Sequence, residues 1–544
     1  MISFIEKYPK SSIFLICLIC LIPNLDTLVV TIMEARNFIS AREMLTDSNW
    51  ILTTMNGEPR YQKPPLPTWL TAISAALFGI KSVLAYRLPV ILMVPFSGIF
   101  TYKITKFITK NNLLSIVSAF VLITSFYIVG ITNEAPWDLF THGFMLAGLF
   151  YLISYFRNNG NPVTNIFFSS ILIGFSILSK GPVSLYVMFL PFLIAYFIVL
   201  KPTKFKSKVV PFVAVIIAAL IIGGWWFFYV RMADPETFLA ITERETSNWG
   251  SYNVRPFYYY WSFFTQSGIW TILALGSLFF GFIKKYASDR KWYRFAFIWT
   301  IAALILLSVI PEKKSRYLVP VLFPLSLTIG VYIENIILHF NQFKKHQKLP
   351  VRAHFILMIV VSFAIPILLF VAFREVFDGL WLWFILLSIS CFTIGWYLLS
   401  QFRLSNFKNA FFANAILMLS LLLFATPFTK ATFTNKNFKN IAELSSTIEP
   451  SLEILSYSYK NLTPEMIWHY GKKMPVLNSV EEIELVNDER FGIFISENDT
   501  DILTQISKDY LVELHTIFDM NYTSKVRNRL IENYYLVTKK RTFE

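Results

Sequence analysis

About thirteen apolar stretches run through this chain, at roughly residues 11–25, 83–102, 112–130, 138–156, 163–179, 183–200, 209–230, 259–283, 292–310, 317–338, 353–373, 379–400 and 409–428. Each is long enough, or nearly so, to cross about 30 Å of hydrocarbon as a helix, and an unpaired backbone cannot lie in hydrocarbon in any other open form. Only 15% of the 544 residues are charged and 55% are hydrophobic, whereas a soluble globule holds about a quarter charged residues. The expected fold is therefore an α-helical polytopic membrane protein of about 13 transmembrane helices. The first stretch has no small-residue cleavage site after it, so it is expected to be a retained helix and not a removed signal peptide.

Lysine and arginine set the expected orientation. With a cytoplasmic N-terminus, the inner segments hold Lys7 and Lys10, Lys103, Lys106 and Lys110, Arg157, Lys201 to Lys208, Lys284 to Arg294, Lys344 to Arg352, and Arg403 with Lys408. Only Glu6 and Asp289 are acidic there, as the positive-inside rule requires. The outer loops mix both signs, which points to a site on that face.

From about residue 430 the apolar character ends. Strand-like LEILSYSY, FGIFIS, LVELHTIF and NYYLVTK alternate with helix-like TPEMIWHYG, VEEIELVNDER and DTDILTQISKDY. An odd span count places this part outside, so the expected division is a membrane domain over 1–429, with an amphipathic outer loop at 26–82, and a soluble α/β domain over 430–544. The second part carries 14 basic and 17 acidic residues, so the net charge of +15 arises in the membrane part as a topological signal. No nucleic-acid partner is implied. Cys17, Cys20 and Cys391 all lie in apolar stretches and build no metal site.

The outer loops supply the candidate chemistry. Residues 32–67 hold Glu34, Arg36, Arg42, Glu43, Asp47, Glu58, Arg60 and Lys63 among aromatics and prolines. Lys63 precedes two prolines, a rigid turn that can hold an ammonium at headgroup depth, where a lipid phosphate is the natural partner; simple snorkelling to the interface is the alternative. Glu34 and Arg36 are two residues apart on a helix-like segment, suited either to opposite sides of one cleft or to a solvated interfacial face. Asp138 stands at the mouth of a span, with Glu134 four residues earlier; it reads as a functional carboxylate or as a helix cap. Glu243, Arg244 and Arg255 precede and enter an aromatic run, and Lys313, Lys314, Arg316 and Tyr317 stand at the outer end of another span. Cations on an outer loop oppose the positive-inside rule, and a bound anion accounts for them.

These residues resemble a known family. The charged first loop with REML (42–45), NW (49–50), NG (56–57) and RYQKPP (60–65), an Asp at the start of a span, LSKGP (178–182), PFYYY (256–260) and SRYLVP (315–320) resemble the aminoarabinose transferases that modify lipid A. More distantly they resemble the protein O-mannosyltransferases. Both are membrane glycosyltransferases of the GT-C class, and the resemblance covers roughly residues 1–330. It implies an inverting transfer of a sugar from a polyprenyl phosphate carrier, typically undecaprenyl phosphate, to a lipid A, glycan or protein acceptor at the periplasmic face of the bacterial inner membrane. It also implies that Arg36, Lys63, Arg244, Arg316 and Tyr317 hold the donor phosphate and that Glu34 or Asp138 is the catalytic carboxylate, with Asp26 a third candidate. Where the family carries an acidic pair, this chain has Met33 and Glu34; Gln62 and Asn253 replace an acid and a histidine, so no zinc is expected at those positions and no cofactor is required, a divalent cation being allowed but unsupported. Membrane lipids are the remaining expected partners. The rival class is a polytopic transporter or lipid-linked sugar flippase, which would carry repeated halves and midplane charge that this sequence lacks.

Overall fold

The computed structural model describes residues 2–134, 136–202, 204–432, 435–499, 501–523 and 525–540, with the side chains of 249, 430–432 and 498 set aside. Residues 541–544 of the expected outer domain thus lie outside the described residues.

Among the described residues, nine helices are long and apolar enough to span a membrane, and two helix pairs bent at short breaks would raise this to eleven. The bends fall between Asn112–Ile123 and Phe126–Glu134, at 41°, and between Phe257–Ser277 and Phe280–Tyr286, at 89°. The two other expected spans coincide with shorter apolar helices, Pro9–Leu21 and Leu185–Leu200, so the full count of thirteen is not reached by length and composition. The chain is nonetheless a multi-pass membrane protein.

Burial separates the inner helices from the lipid-facing ones. Ser315–Gln342 is central, with 89% of its apolar window buried, whereas Phe205–Ala233, Lys345–Val376 and Trp381–Arg403 bury only 22%. Where hydrocarbon surrounds both helices, close backbone approach replaces the hydrophobic effect as the packing force. Gly330 of the central helix shows this: a Cβ there would lie 2.2 Å from Ser118 Oγ. Helix starts are satisfied by side chains, with Ser82 capping Ala85 N–H and Asn111 capping Leu114 N–H.

The first outer loop folds into a helix, Ile32–Thr46, a hairpin of β1 (Thr54–Met55) and β2 (Glu58–Pro59), and a short apolar helix, Leu66–Phe78. Asn56 and Gly57 form the hairpin turn with φ of 58° and 82°, the left-handed geometry that Asn-Gly supplies at low steric cost. The C-terminal part is a mixed five-stranded sheet of β3 (Ser456–Tyr459), β4 (Val476–Leu477), β5 (Arg490–Ile495), β6 (Tyr510–Asp519) and β7 (Ile531–Lys539). The strand order is β4-β3-β5-β7-β6, with β3 parallel to β4 and β5, and β7 antiparallel to β5 and β6. The four strand-like runs each form a strand. Edge strand β4, two residues long, was not foreseen.

The sheet domain is docked on the Ile32–Thr46 helix. Trp468 packs edge-on against Phe38 at 5.1 Å and Tyr86 at 4.9 Å, while Arg42 covers its ring and donates to the carbonyls of Ile467, Trp468 and Lys472. Truncation of so large a buried ring costs roughly 3–5 kcal/mol. Trp468→Ala should therefore loosen the docked domain while leaving the membrane helices intact, seen as faster hydrogen exchange in 32–46 and 464–470 with unchanged exchange in 319–339.

Candidate functional site

A cavity of about 870 Å³ opens where the expected outer loops meet the helix ends. Six separate pieces of sequence build it. The Ile32–Thr46 helix gives Met33 and Arg36; the hairpin and the turn after it give Met55, Arg60, Gln62 and Lys63; the segment 134–138 gives Glu134, Trp137 and Asp138. Lys180 closes one end of the helix Pro162–Lys180, and Arg244, Glu245, Tyr252, Asn253, Glu312, Lys314, Arg316 and Tyr317 complete the wall.

The hairpin is held so that its strand end delivers cations. Glu43 is 1% exposed, and its carboxylate accepts from Asn56 N–H at 2.7 Å, Thr54 Oγ1 at 2.5 Å and Gly57 N–H at 3.2 Å. Arg60 then donates to Arg36 O at 3.1 Å and Ser40 Oγ at 3.3 Å, and its guanidinium lies 5.4 Å from the Trp137 ring. Tyr61 is buried against Trp226, its hydroxyl donating to Asp234 at 3.1 Å. Pro64 and Pro65 follow, and Lys63 is left facing the cavity.

Asp138 sits in the first turn of the helix Pro136–Phe156, 2% exposed and hydrogen-bonded to the Lys180 ammonium. His142 lies one turn along the same helix, its Nε2 4.0 Å from the carboxylate. The Lys180 ammonium also stands 5.2 Å from the Tyr317 ring. Glu312 forms a second node, accepting from Lys314 Nζ at 2.5 Å and from Tyr317 Oη at 3.1 Å. A bridge between Val254 and Glu312 ties this node to the aromatic segment.

Two acids are thus matched by Lys180 and Lys314. Among the described residues, Arg36, Arg60, Lys63, Arg244 and Arg316 form no ion pair, nor do the lining acids Glu134 and Glu245, leaving a surplus of three cations around an open volume. Burial pulls Lys63 down to about 8, with Lys180 adding repulsion and Glu245 and Asp138 opposing it. Burial and then Arg36 pull Arg60 down to about 9. Both shifts come chiefly from burial, with neighbouring cations adding to it. Among the described residues no three His, Cys, Asp or Glu side chains converge as a metal site needs.

Six of the seven residues singled out in the sequence line this cavity: Arg36, Lys63, Asp138, Arg244, Arg316 and Tyr317. Glu34 does not. It is fully buried, its carboxylate takes Arg87 Nε at 2.7 Å and Nη2 at 3.0 Å, and it closes a capping box with Thr31. Glu34, expected as a candidate catalytic carboxylate, is instead placed away from the cavity, with both oxygens holding the helix start to Arg87. Lys180, Arg60 and Glu312 received no role from the sequence, whereas Lys314 was among the outer-loop cations read as binding an anion. A lone lysine ending an apolar helix in LSKGP, on the face that the positive-inside rule leaves poor in cations, was a usable signal for Lys180.

Two outcomes follow from this geometry. Glu34→Gln removes half of a buried pair, which costs about 3–5 kcal/mol when one charge is left alone, so the variant should show a clearly lowered thermal midpoint. Binding of inorganic sulfate, whose charge is constant from pH 6 to 10, should weaken as pH rises through about 8, because Lys63 is a cation below that point and neutral above it. Lys63→Arg should abolish the step near pH 8 in a calorimetric titration.

Known proteins share this architecture. A family model described as dolichyl-phosphate-mannose-protein mannosyltransferase matches residues 62–227. An undecaprenyl phosphate-alpha-4-amino-4-deoxy-L-arabinose arabinosyl transferase of Yersinia pestis (strain Pestoides F) is 24% identical over 319 residues, covering 55% of this chain and 54% of that one. An uncharacterised Aquifex aeolicus protein is 22% identical over 284 residues, 52% of this chain and 55% of its own. The chain thus spans about half the length of the curated relatives it matches. Among solved structures, ArnT from Cupriavidus metallidurans bound to undecaprenyl phosphate superposes with a TM-score of 0.68 at 15% identity, covering 98% of this chain and 97% of that one. The archaeal oligosaccharyltransferase AglB from Archaeoglobus fulgidus reaches 0.50 at 11% identity, over 94% and 70%. The chain has the ArnT fold, and it resembles the aminoarabinose transferases and mannosyltransferases of the GT-C class.

Proposed function

We propose that this chain is a GT-C glycosyltransferase that moves a sugar from a polyprenyl phosphate carrier to a lipid A, glycan or protein acceptor, with its cavity and its 430–544 domain on the periplasmic side of the bacterial inner membrane. The observation that carries this reading is the set of unpaired cations around an 870 Å³ cavity at the ends of membrane helices. A prenyl chain stays in hydrocarbon while its phosphate reaches such a cavity, so one ligand satisfies both environments. The Yersinia relative and the Cupriavidus neighbour carry undecaprenyl phosphate in their names, which supports the same donor class here.

The chemistry follows from the charges. An acceptor oxygen attacks the anomeric carbon on the face opposite the phosphate, and the bond from that carbon to the phosphate oxygen breaks. The electron pair leaves with the polyprenyl phosphate, which gains negative charge. Lys63, Arg36 and Arg316 stand where cations would stabilise it, with Arg244 at the exposed rim and Tyr317 beside them. A hydroxyl acceptor must also lose a proton, and Asp138, oriented by Lys180, is the base we assign. A phosphate acceptor is already ionised and needs less of this help.

The test is transfer itself. Lys63→Ala should lower the transfer rate from a polyprenyl phosphate sugar by about 10²–10³-fold, the usual cost of one stabilising group at the developing charge. Asp138→Asn should lower transfer to a hydroxyl acceptor by about 10²–10⁴-fold. Mass spectrometry of envelope lipid A, glycans and proteins, with and without the chain, should show one acceptor heavier by one sugar. No such difference in any of the three fractions would overturn the reading.

A further inference from the structure

We infer that the C-terminal sheet domain is a positioning element for the cation-bearing hairpin, acting through Asn56, so that the domain sets how tightly the cavity holds a phosphate. The inference rests on the proposed donor reading for its ligand, but its geometry is independent of it.

Three contacts close a triangle between the site helix, the hairpin and the domain. Neighbouring residues of the helix face different partners: Arg42 takes the carbonyls of Ile467, Trp468 and Lys472, and Glu43 takes the hairpin turn. Asn56 completes the third side. Its Nδ2 donates to Met474 O at 2.9 Å and its Oδ1 accepts from Met474 N–H at 2.8 Å, a backbone-like pairing between residues 418 apart. Lys473, the residue before, pairs with Asp47 at the end of the site helix. The turn is thus gripped from inside by Glu43 and from outside by the domain, and four residues beyond it Arg60 enters the cavity, followed by Lys63. The grip matters because the charges it places repel one another. Lys63 faces Lys180 and Arg60, with Glu245 and Asp138 opposing, and an untethered hairpin would relax away from the cavity. Removing the grip should therefore return Lys63 toward water and toward its ordinary basicity.

Asn56→Gly isolates the effect, because glycine adopts φ of 58° at no steric cost and the variant loses only the side-chain pairing to Met474. Two measurements are made on the full chain. The first is the pH dependence of acetylation of Lys63 by acetic anhydride, followed by peptide mass spectrometry; the second is KM and kcat for a polyprenyl phosphate sugar. The expected result is a Lys63 midpoint that rises from about 8 toward the ordinary lysine value of 10.5, with KM raised about tenfold or more and kcat little changed. Asn56→Asp, which keeps the acceptor for Met474 N–H, should recover part of both. An unchanged Lys63 midpoint and KM in Asn56→Gly would overturn the inference. A shifted midpoint in a chain that transfers no sugar even as wild type would leave the positioning intact and overturn the donor reading instead.

Discussion

Hydrocarbon gives a peptide group or a charge nothing to bond with, and this constraint orders the whole molecule. It forces the backbone into helices, it lets Gly330 and Ser118 bring two of them into near contact, and it drives ionisable residues to the helix ends. The cavity is a consequence. Charged residues from six separate parts of the chain, at 36, 60–63, 134–138, 180, 244–245 and 312–316, can be neighbours only because each is expelled to the same end of the bundle. Burial beneath helix ends then does to them what water would not permit, lowering Lys63 and Arg60 while leaving their charges aimed at one volume.

Much of this was legible in the primary structure, for a physical reason. Hydropathy is a local property, so the spans at 83–102, 317–338 and 379–400 could be read directly, as could the strands at 491–496 and 533–539. The cations that defy the positive-inside rule were equally visible, which is why Lys63 and Arg316 were found. What sequence could not supply was pairing. Glu34 and Asp138 look alike as acids near apolar runs, yet one meets Arg87, 53 residues away, and the other meets Lys180, 42 residues away. The first pair is sealed and the second borders open space. Nothing in the local sequence separates them, since burial is decided by which helix lies alongside.

The count of thirteen spans is not reached by length and composition, partly because two helices are short and partly for a related reason. Apolar length measures what hydrocarbon tolerates, not where a helix bends. The stretches at 112–134 and 257–286 are continuous in hydropathy but break at Ser125 and near Leu278, so each is two helices sharing one apolar signal. The second break turns the chain by 89°, and in the aromatic run before it Tyr260 donates to the carbonyl of Lys314, a cavity residue.

The site helix shows how one short segment reconciles these demands. Its first turn is fixed by Glu34 to Arg87 and so to the membrane bundle; Arg36 is free and faces the cavity; Arg42 reaches the sheet domain; Glu43 holds the hairpin. Residues 34 and 42 are neutralised or bonded because they are buried at 0% and 6%, where an unmet charge would be costly. Arg36 keeps an unmet charge, and the cavity gives it room to do so. The cations around that volume repel one another, and the tethers at 34, 42 and 43 hold the helix in place against that repulsion.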